Sequence, residues 1–389
     1  MVECRRPCWM DINLEAIERN YAEAARRAGP DRKVIASIKG NAYGHGVADV
    51  VSALDRHRPF AYWTGNVEEA IALRRAGIDS KIIMFGGYLP SAIPMLVEQG
   101  LVPTIYDLAG AAAAAQARNG NPVGVYVKID AGLGRLGIPM AEAEDVVLQL
   151  ARMPGLAIEG IYTHLPFGDV AGKTWALERS QRFAELLDQL RRRGVEPEIT
   201  QLWGSSGLIA ELPDPCNAVC IGHLLYGLSP VSAEVAAADG FQPALTAIKA
   251  SLIHVGYHAA GADLAIANDY RTRNAKVTGV LAIGAGDGMR RPLSGQRMAV
   301  LIRGHRAPVI GISLEHTVID LTQIDAPQVG EDAVLVGTSQ GDEISLAEWG
   351  GWIGASALDV VLTFSQRLAP RYVNPADTIW GRFAAAQPA

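Results

Sequence analysis

Residues Ile35–Gly46 read IASIKGNAYGHG. Four apolar or small residues run straight into Lys39, and Gly40, Gly44 and Gly46 follow within seven residues. A lysine at the end of a buried β-run cannot keep a free ammonium cheaply. Burial lowers the pKa of its amine and makes the amine a nucleophile. The common use of such a lysine is a Schiff base with a carbonyl cofactor. Tyr43 and His45 follow within one helical turn, and the glycines leave room for a close ligand. The same pattern also suits a lysine that snorkels from a strand end beside a glycine turn.

Working outward, Val34–Lys39 is the first of eight short apolar runs. The others are Phe60–Thr64, Lys81–Phe85, Leu101–Tyr106, Gly124–Asp130, Ile158–Leu165, Glu198–Trp203 and Ala218–Ile221. Helical patterns lie between most of them, at Val47–Leu54, Val67–Ala76, Ser91–Gln99, Asp107–Arg118, Ala141–Arg152 and Trp175–Arg193. Eight β-runs alternating with helices predict an α/β fold, a (β/α)8 TIM barrel. The runs are continuously apolar, as parallel strands buried on both faces should be. Chemistry in this fold sits at the C-terminal strand ends. Lys39 is expected there, with Lys128, Asp130 and Arg135 at the fifth strand and His164 at the sixth. Ser205 and Ser206 follow the seventh strand, and Gly222 with His223 follows the eighth. The last two loops are the usual phosphate site of this fold.

After about Ser232 the pattern changes. Strand-like runs at Phe241–Val255, Val277–Ile283, Met298–Ile302, Ala307–Ile312, Thr317–Leu321 and Ala333–Val336 predict a mainly β C-terminal domain. Ile344–Ala347 and Ile353–Phe364 read as its last helical pieces, and the tail PRYVNPA as patternless. The expected division is a barrel over 11–235, with 1–10 and 236–389 in the β-domain, Cys8–Asn13 being a strand that crosses over to it.

The bulk composition narrows the function. Hydrophobic residues make up 49% and charged residues 20% of 389, as in a well-packed protein. A net charge of −6 leaves no basic footprint for nucleic acid. No apolar run is long enough for a membrane span, and the N-terminus lacks the apolar stretch of a signal peptide, so a cytoplasmic location is expected. Cys4, Cys8, Cys216 and Cys220 form two i, i+4 pairs. Cys8 and Cys220 lie in strand-like runs, where such partners are far apart, so neither a metal site nor a disulfide is expected.

The lysine stretch resembles the pyridoxal 5'-phosphate (PLP) signature of the alanine racemase family: Lys, a small residue, Asn or Asp, then Ala-Tyr-Gly-His-Gly. The resemblance runs from about Pro7 to Val373. Val127–Gly137 (VKIDAGLGRLG), Glu159–Leu165 (EGIYTHL), Leu225–Pro230 (LYGLSP), Arg306–Gly311 and Ile319–Thr322 after Ser313 are similar to further landmarks. It implies PLP on Lys39, with Tyr43 as a phosphate ligand and Ser205, Gly222 and His223 around the cofactor. It further implies Arg135 at the cofactor phenolate and the substrate carboxylate, His164 stacked on the pyridine ring, and Lys128 where many members carry a carbamylated lysine. A homodimer with a shared active site is implied, acting on an amino acid.

The departures from the family pattern bear on the reaction. The family places an arginine at the pyridine nitrogen, which keeps that nitrogen unprotonated; here Cys220 takes its place. Spacing from Gly284–Gly288 puts Ile266 where the family's partner-subunit tyrosine base stands, unless a small gap brings Tyr270 into range. Two more family tyrosines become Ala285 and Leu358, the latter at a phosphate-binding position, and the substrate-side Met-Asp pair becomes Leu314-Glu315. Two-base racemisation needs a proton acceptor on each face of the Cα. The expected activity is therefore PLP chemistry at the Cα of an amino acid: racemisation by family resemblance, or one-base chemistry (aldol or retro-aldol, decarboxylation, transamination) on the same scaffold. A PLP carrier without turnover should lack the β-domain.

Overall fold

Strands form where the continuous apolar runs predict them, because each run can bury both faces only inside a parallel sheet. The structure, a computed structural model, describes residues 6–237, 240–267 and 272–373. After strand β1 (Cys8–Asn13) come β2 (Lys33–Ser37), β3 (Ala61–Thr64), β4 (Lys81–Met84), β5 (Val102–Ile105), β6 (Val123–Asp130), the two-residue β7 (Ile138–Pro139), β8 (Leu156–Tyr162), β9 (Ile199–Gly204) and β10 (Ala218–Ile221). The sheet order β5-β4-β3-β2-β10-β9-β8-β6 closes through a β5–β6 pairing. The result is an eight-stranded parallel barrel, with β7 appended to β6. Its interior is packed with Ile35, Trp63, Ile83, Tyr126, Tyr162 and Ile199, drawn from five of the neighbouring strands and from β4.

The mainly β unit follows: β11 (Leu245–His258), β12 (Lys276–Leu281), β13 (Ala299–Ile302), β14 (His305–Ile312), β15 (Thr317–Asp320), β16 (Asp332–Ser339), β17 (Asp342–Ile344) and β18 (Ala369–Val373). A β11–β16 pairing closes β11, β12, β15, β14, β13 and β16 into an antiparallel ring. Strand β1 joins this unit, antiparallel to β11 and parallel to β18. Among the described residues, those up to Asn13 and those from Pro243 to Val373 form the β unit, and Leu14–Gln242 form the barrel unit.

Three local expectations need correction. Lys39 does not end its strand: β2 stops at Ser37, and Lys39 opens a separate turn. His164 likewise lies two residues past the end of β8. The PRYVNPA tail is not patternless in its described part, since Pro370–Val373 belong to β18. Pro370 is tolerated because β18 is an edge strand whose only neighbour among the described residues is β1. The two last helices run Leu346–Ile353 and Ala357–Ser365, each opened by a serine, Ser345 and Ser356, that accepts a backbone N–H.

Candidate active site

Lys39 is set by a turn of the wrong hand. Gly40, Asn41, Ala42 and Tyr43 all take positive φ, between 54° and 63°. Left-handed backbone costs a non-glycine residue roughly 1–2 kcal/mol. Three consecutive such residues persist only where surrounding bonds over-determine them. Those bonds are present: Ala42 N–H donates to Ile38 O at 2.8 Å, Gly44 N–H to Gly40 O at 2.9 Å, and Val47 N–H to the Asn41 Oδ1 at 2.8 Å. Asn41 thereby also caps the helix Val47–Asp55.

The turn delivers Tyr43 into the barrel mouth. Its ring stacks on Tyr226 at 4.9 Å and meets His223 edge-on at 5.4 Å. Tyr226 in turn donates to Ser37 O at 3.0 Å and carries His45 on its far side at 4.7 Å. His45 is buried, and burial lowers its pKa to about 4, so it is a neutral ring with Nδ1 against the Ala42 and Tyr43 carbonyls.

A cavity of about 460 Å3 opens at the C-terminal strand ends. Lys39, Tyr43, Lys128, Arg135, His164, Ser205, Cys220, Gly222 and His223 all line it, so these strand-end candidates meet at one place, while Asp130 stands behind the lining. Gly222 has no room for a side chain, since a Cβ there would stand 2.2 Å from the Tyr43 Oη. Its N–H donates to the Ser205 Oγ at 3.0 Å. Arg135 is aimed by the loop before it. The carboxylate of Asp130 accepts the N–H groups of Gly132, Leu133, Gly134 and Arg135 at 2.7–3.2 Å. Burial works against that charge, but the four donors prevail and hold Asp130 below the usual carboxylate range.

The site is strongly cationic. Burial, with the charge of Arg135 adding to it, lowers the Lys39 amine from its ordinary value. Lys128, 3% exposed, is held at about 8 by burial first and by Arg135 next. His164 falls to about 3, through burial and then the charges of Lys39, Arg135 and Lys128, so its imidazole stays neutral. Burial pushes the Cys220 thiol up to about 12, which keeps it protonated. Such a cavity selects an anionic ligand, with a neutral ring and a neutral thiol on its walls.

Reading the sequence missed several lining residues. Trp63, Phe85 and Phe167 look like ordinary core aromatics, and Gln201 sits inside an apolar run. Thr163 is the most telling: its Oγ1 is buried, has no hydrogen-bond partner among the described residues, and belongs to the lining. Only its position beside His164 hinted at a role. The other candidates lie in the β unit. Ile266 is 42% exposed on the short turn Ala265–Ala267, packed on Gly311. Leu314 is 68% exposed. Glu315 pairs with Arg6 at 2.5 Å and Arg367 at 3.4 Å, and both arginines also reach the buried Asp287. Tyr270 lies outside the described residues.

Comparison with known proteins places this geometry. The family described as alanine racemase, N-terminal domain, matches residues 12–230, and its C-terminal domain matches 245–372. An alanine racemase of Symbiobacterium thermophilum is 32% identical over 374 residues, covering 94% of this chain and 97% of its own length. One from Methanococcus maripaludis is 29% identical, with 95% and 99% covered. The crystal structure of the Bacillus anthracis alanine racemase with bound L-Ala-P superposes with a TM-score of 0.86 at 27% identity, covering 96% of this chain and 97% of that one. The Clostridium difficile 630 alanine racemase shares the fold at 24% identity, also with a TM-score of 0.86, covering 95% of this chain and 97% of that one. Both domains are matched in order along nearly the whole chain, and the chain is an enzyme of the alanine racemase family.

Proposed function

We propose that this enzyme holds PLP on Lys39 and moves a proton at the Cα of a small amino acid, with racemisation as its reaction. The observation that carries this reading is the single cavity in which a lowered lysine amine meets Arg135, a neutral His164 and the Gly222–Tyr43 contact. The residues fit the cofactor. The glycine-lined contact at Tyr43 and Ser205 suits a phosphate, the neutral imidazole suits a flat aromatic ring, and Thr163 offers an unused hydroxyl. When bound, PLP supplies an electron sink that acidifies the Cα hydrogen.

The chain's own residues do the rest. Lys39, with its amine partly relieved of charge, serves as nucleophile toward the aldehyde and then as proton carrier on one face. Arg135, exposed at the mouth with five fixed donors, clamps the substrate carboxylate bidentately. Tyr43, with Ser205 and Gly222, holds the phosphate end, and His223 flanks Tyr43. Lys128, at about 8, has enough neutral amine near pH 7 to add carbon dioxide, and the resulting carbamate would set a negative charge near Arg135. The β unit of a second copy completes the site in a homodimer, with Ile266, Leu314 and Glu315 on the substrate side. Among the described residues no helix is long and apolar enough to cross a membrane.

A second reading, one-base chemistry on the same cofactor, is favoured by Ile266 and Cys220. An isoleucine carries no proton, and a neutral thiol leaves the ring nitrogen free to take one. To test the cofactor assignment, the holoenzyme is reduced with borohydride and its peptides are mapped. The pyridoxyl group is expected on Lys39; recovery on Lys128 or Lys33 would overturn the assignment.

A further inference from the structure

We propose that His254 and His258 form a binding site for a late first-row divalent transition metal, Cu2+ or Zn2+, on the face of β11. Residues 254, 256 and 258 alternate along the strand and share one face. At about 3.4 Å per residue, the two histidine Cα atoms stand roughly 13–14 Å apart. Their imidazoles nevertheless lean toward each other over Gly256. The point that a Cβ on Gly256 would occupy is 3.0 Å from the His258 Nε2, 3.6 Å from the His254 Nε2 and 3.0 Å from the Thr278 Oγ1. Three polar atoms from two strands therefore converge on one spot, and that spot is open because residue 256 has no side chain.

The floor is built. Thr278 pairs directly with Gly256 across the ladder, is 4% exposed, and shares a hydrogen bond of 2.9 Å with the His258 Nε2, which a bound ion would replace. Beyond it, Asp320 is the register partner of Thr278, and its charge is met by Lys276 at 3.1 Å. A neutral imidazole nitrogen is the form that ligates a metal. Imidazole nitrogen suits copper, zinc and nickel, at about 2.0–2.1 Å for zinc. Among the described residues no group of three or more His, Cys, Asp or Glu converges. The ion would thus hold two protein nitrogens, with water completing its shell and the Thr278 hydroxyl bonded to that water. Such a site is exchangeable, and copper should bind it more tightly than zinc.

The test titrates the PLP-loaded enzyme, stripped of metal, with Cu2+ and with Zn2+ against a chromophoric competitor. The wild type is compared with His254→Ala, His258→Ala and Gly256→Val. One ion per chain is expected, with affinity at least about ten-fold weaker in each histidine variant, the loss expected when a coordinating contact goes. The Cu2+ electron paramagnetic resonance spectrum should show imidazole nitrogen couplings that vanish with either histidine. Gly256→Val should block the site while leaving both histidines, and thermal melting reports whether it folds. Equal binding by the wild type and both histidine variants, or no saturable binding in the wild type, would overturn the site.

Discussion

On the proposed reading of the site, Cys220 and Ile266 are the two side chains that depart most from what two-base proton transfer needs. The thiol at position 220 is neutral at any physiological pH, and the residue at 266 offers no proton chemistry. A positioned acid–base group is worth about 10²–10⁴ in rate. Ile266→Tyr is therefore expected to raise alanine racemisation toward that range, and Cys220→Arg to suppress the native reaction, both read by chiral chromatography of product. Fast racemisation by the wild type, unchanged in Ile266→Tyr, would remove the argument. Lys128 gives a pH signature. Its folded value of about 8 lies below the ordinary 10.5, so the cost of burying its charge is present in full below about pH 8, shrinks as the pH rises from there, and is gone above about 10.5. In buffer free of carbon dioxide, Lys128→Met should melt higher than the wild type at pH 7, with the gain shrinking above about pH 8 and lost by about pH 10.5. Added bicarbonate should stabilise the wild type alone, because only it can bind carbon dioxide.

The elements differ in how plainly the sequence announces them. The eight barrel strands were legible because each is a short apolar run with no polar alternation, and a helix pattern separates most of them. The polar residues at their ends, Lys39, Arg135, His164 and Ser205, could be placed at one mouth for the same reason. The hand of the Lys39–Tyr43 turn could not be read. Asn41 tolerates left-handed backbone, but Ala42 and Tyr43 carry no such signal, and only the cap to Val47 and the bonds from Ala42 and Gly44 enforce it. Nor could β18, whose Pro370 argues against a strand until its pairing with β1 at the sheet edge is known. The turn yields its own prediction. Asn41→Ala removes both the cap and the residue best suited to positive φ, and should cost about 1–2 kcal/mol in chemical denaturation. It should also weaken PLP binding, because the turn places Lys39 and Tyr43 together. Unchanged stability would mean that the turn does not depend on Asn41.

At the scale of the molecule, the barrel unit supplies the cavity and the β unit carries the remaining substrate-side candidates. A site completed by a second copy requires a homodimer, and sedimentation of the holoenzyme at micromolar concentration should give one. A monomer with full cofactor and full turnover would count against the shared site. The central claim concerns Lys39 acting at an amino-acid Cα, and hydrogen exchange reads that act whatever follows it. The holoenzyme is incubated in D2O with L- and D-alanine and a panel of other amino acids, and the Cα hydrogen is followed by NMR, in the wild type and in Lys39→Ala. The expected result is deuterium at the Cα of at least one amino acid, slowed by about 10²–10⁴ in Lys39→Ala. Exchange that persists undiminished without Lys39, or PLP-loaded wild type that exchanges no Cα hydrogen, would contradict the account.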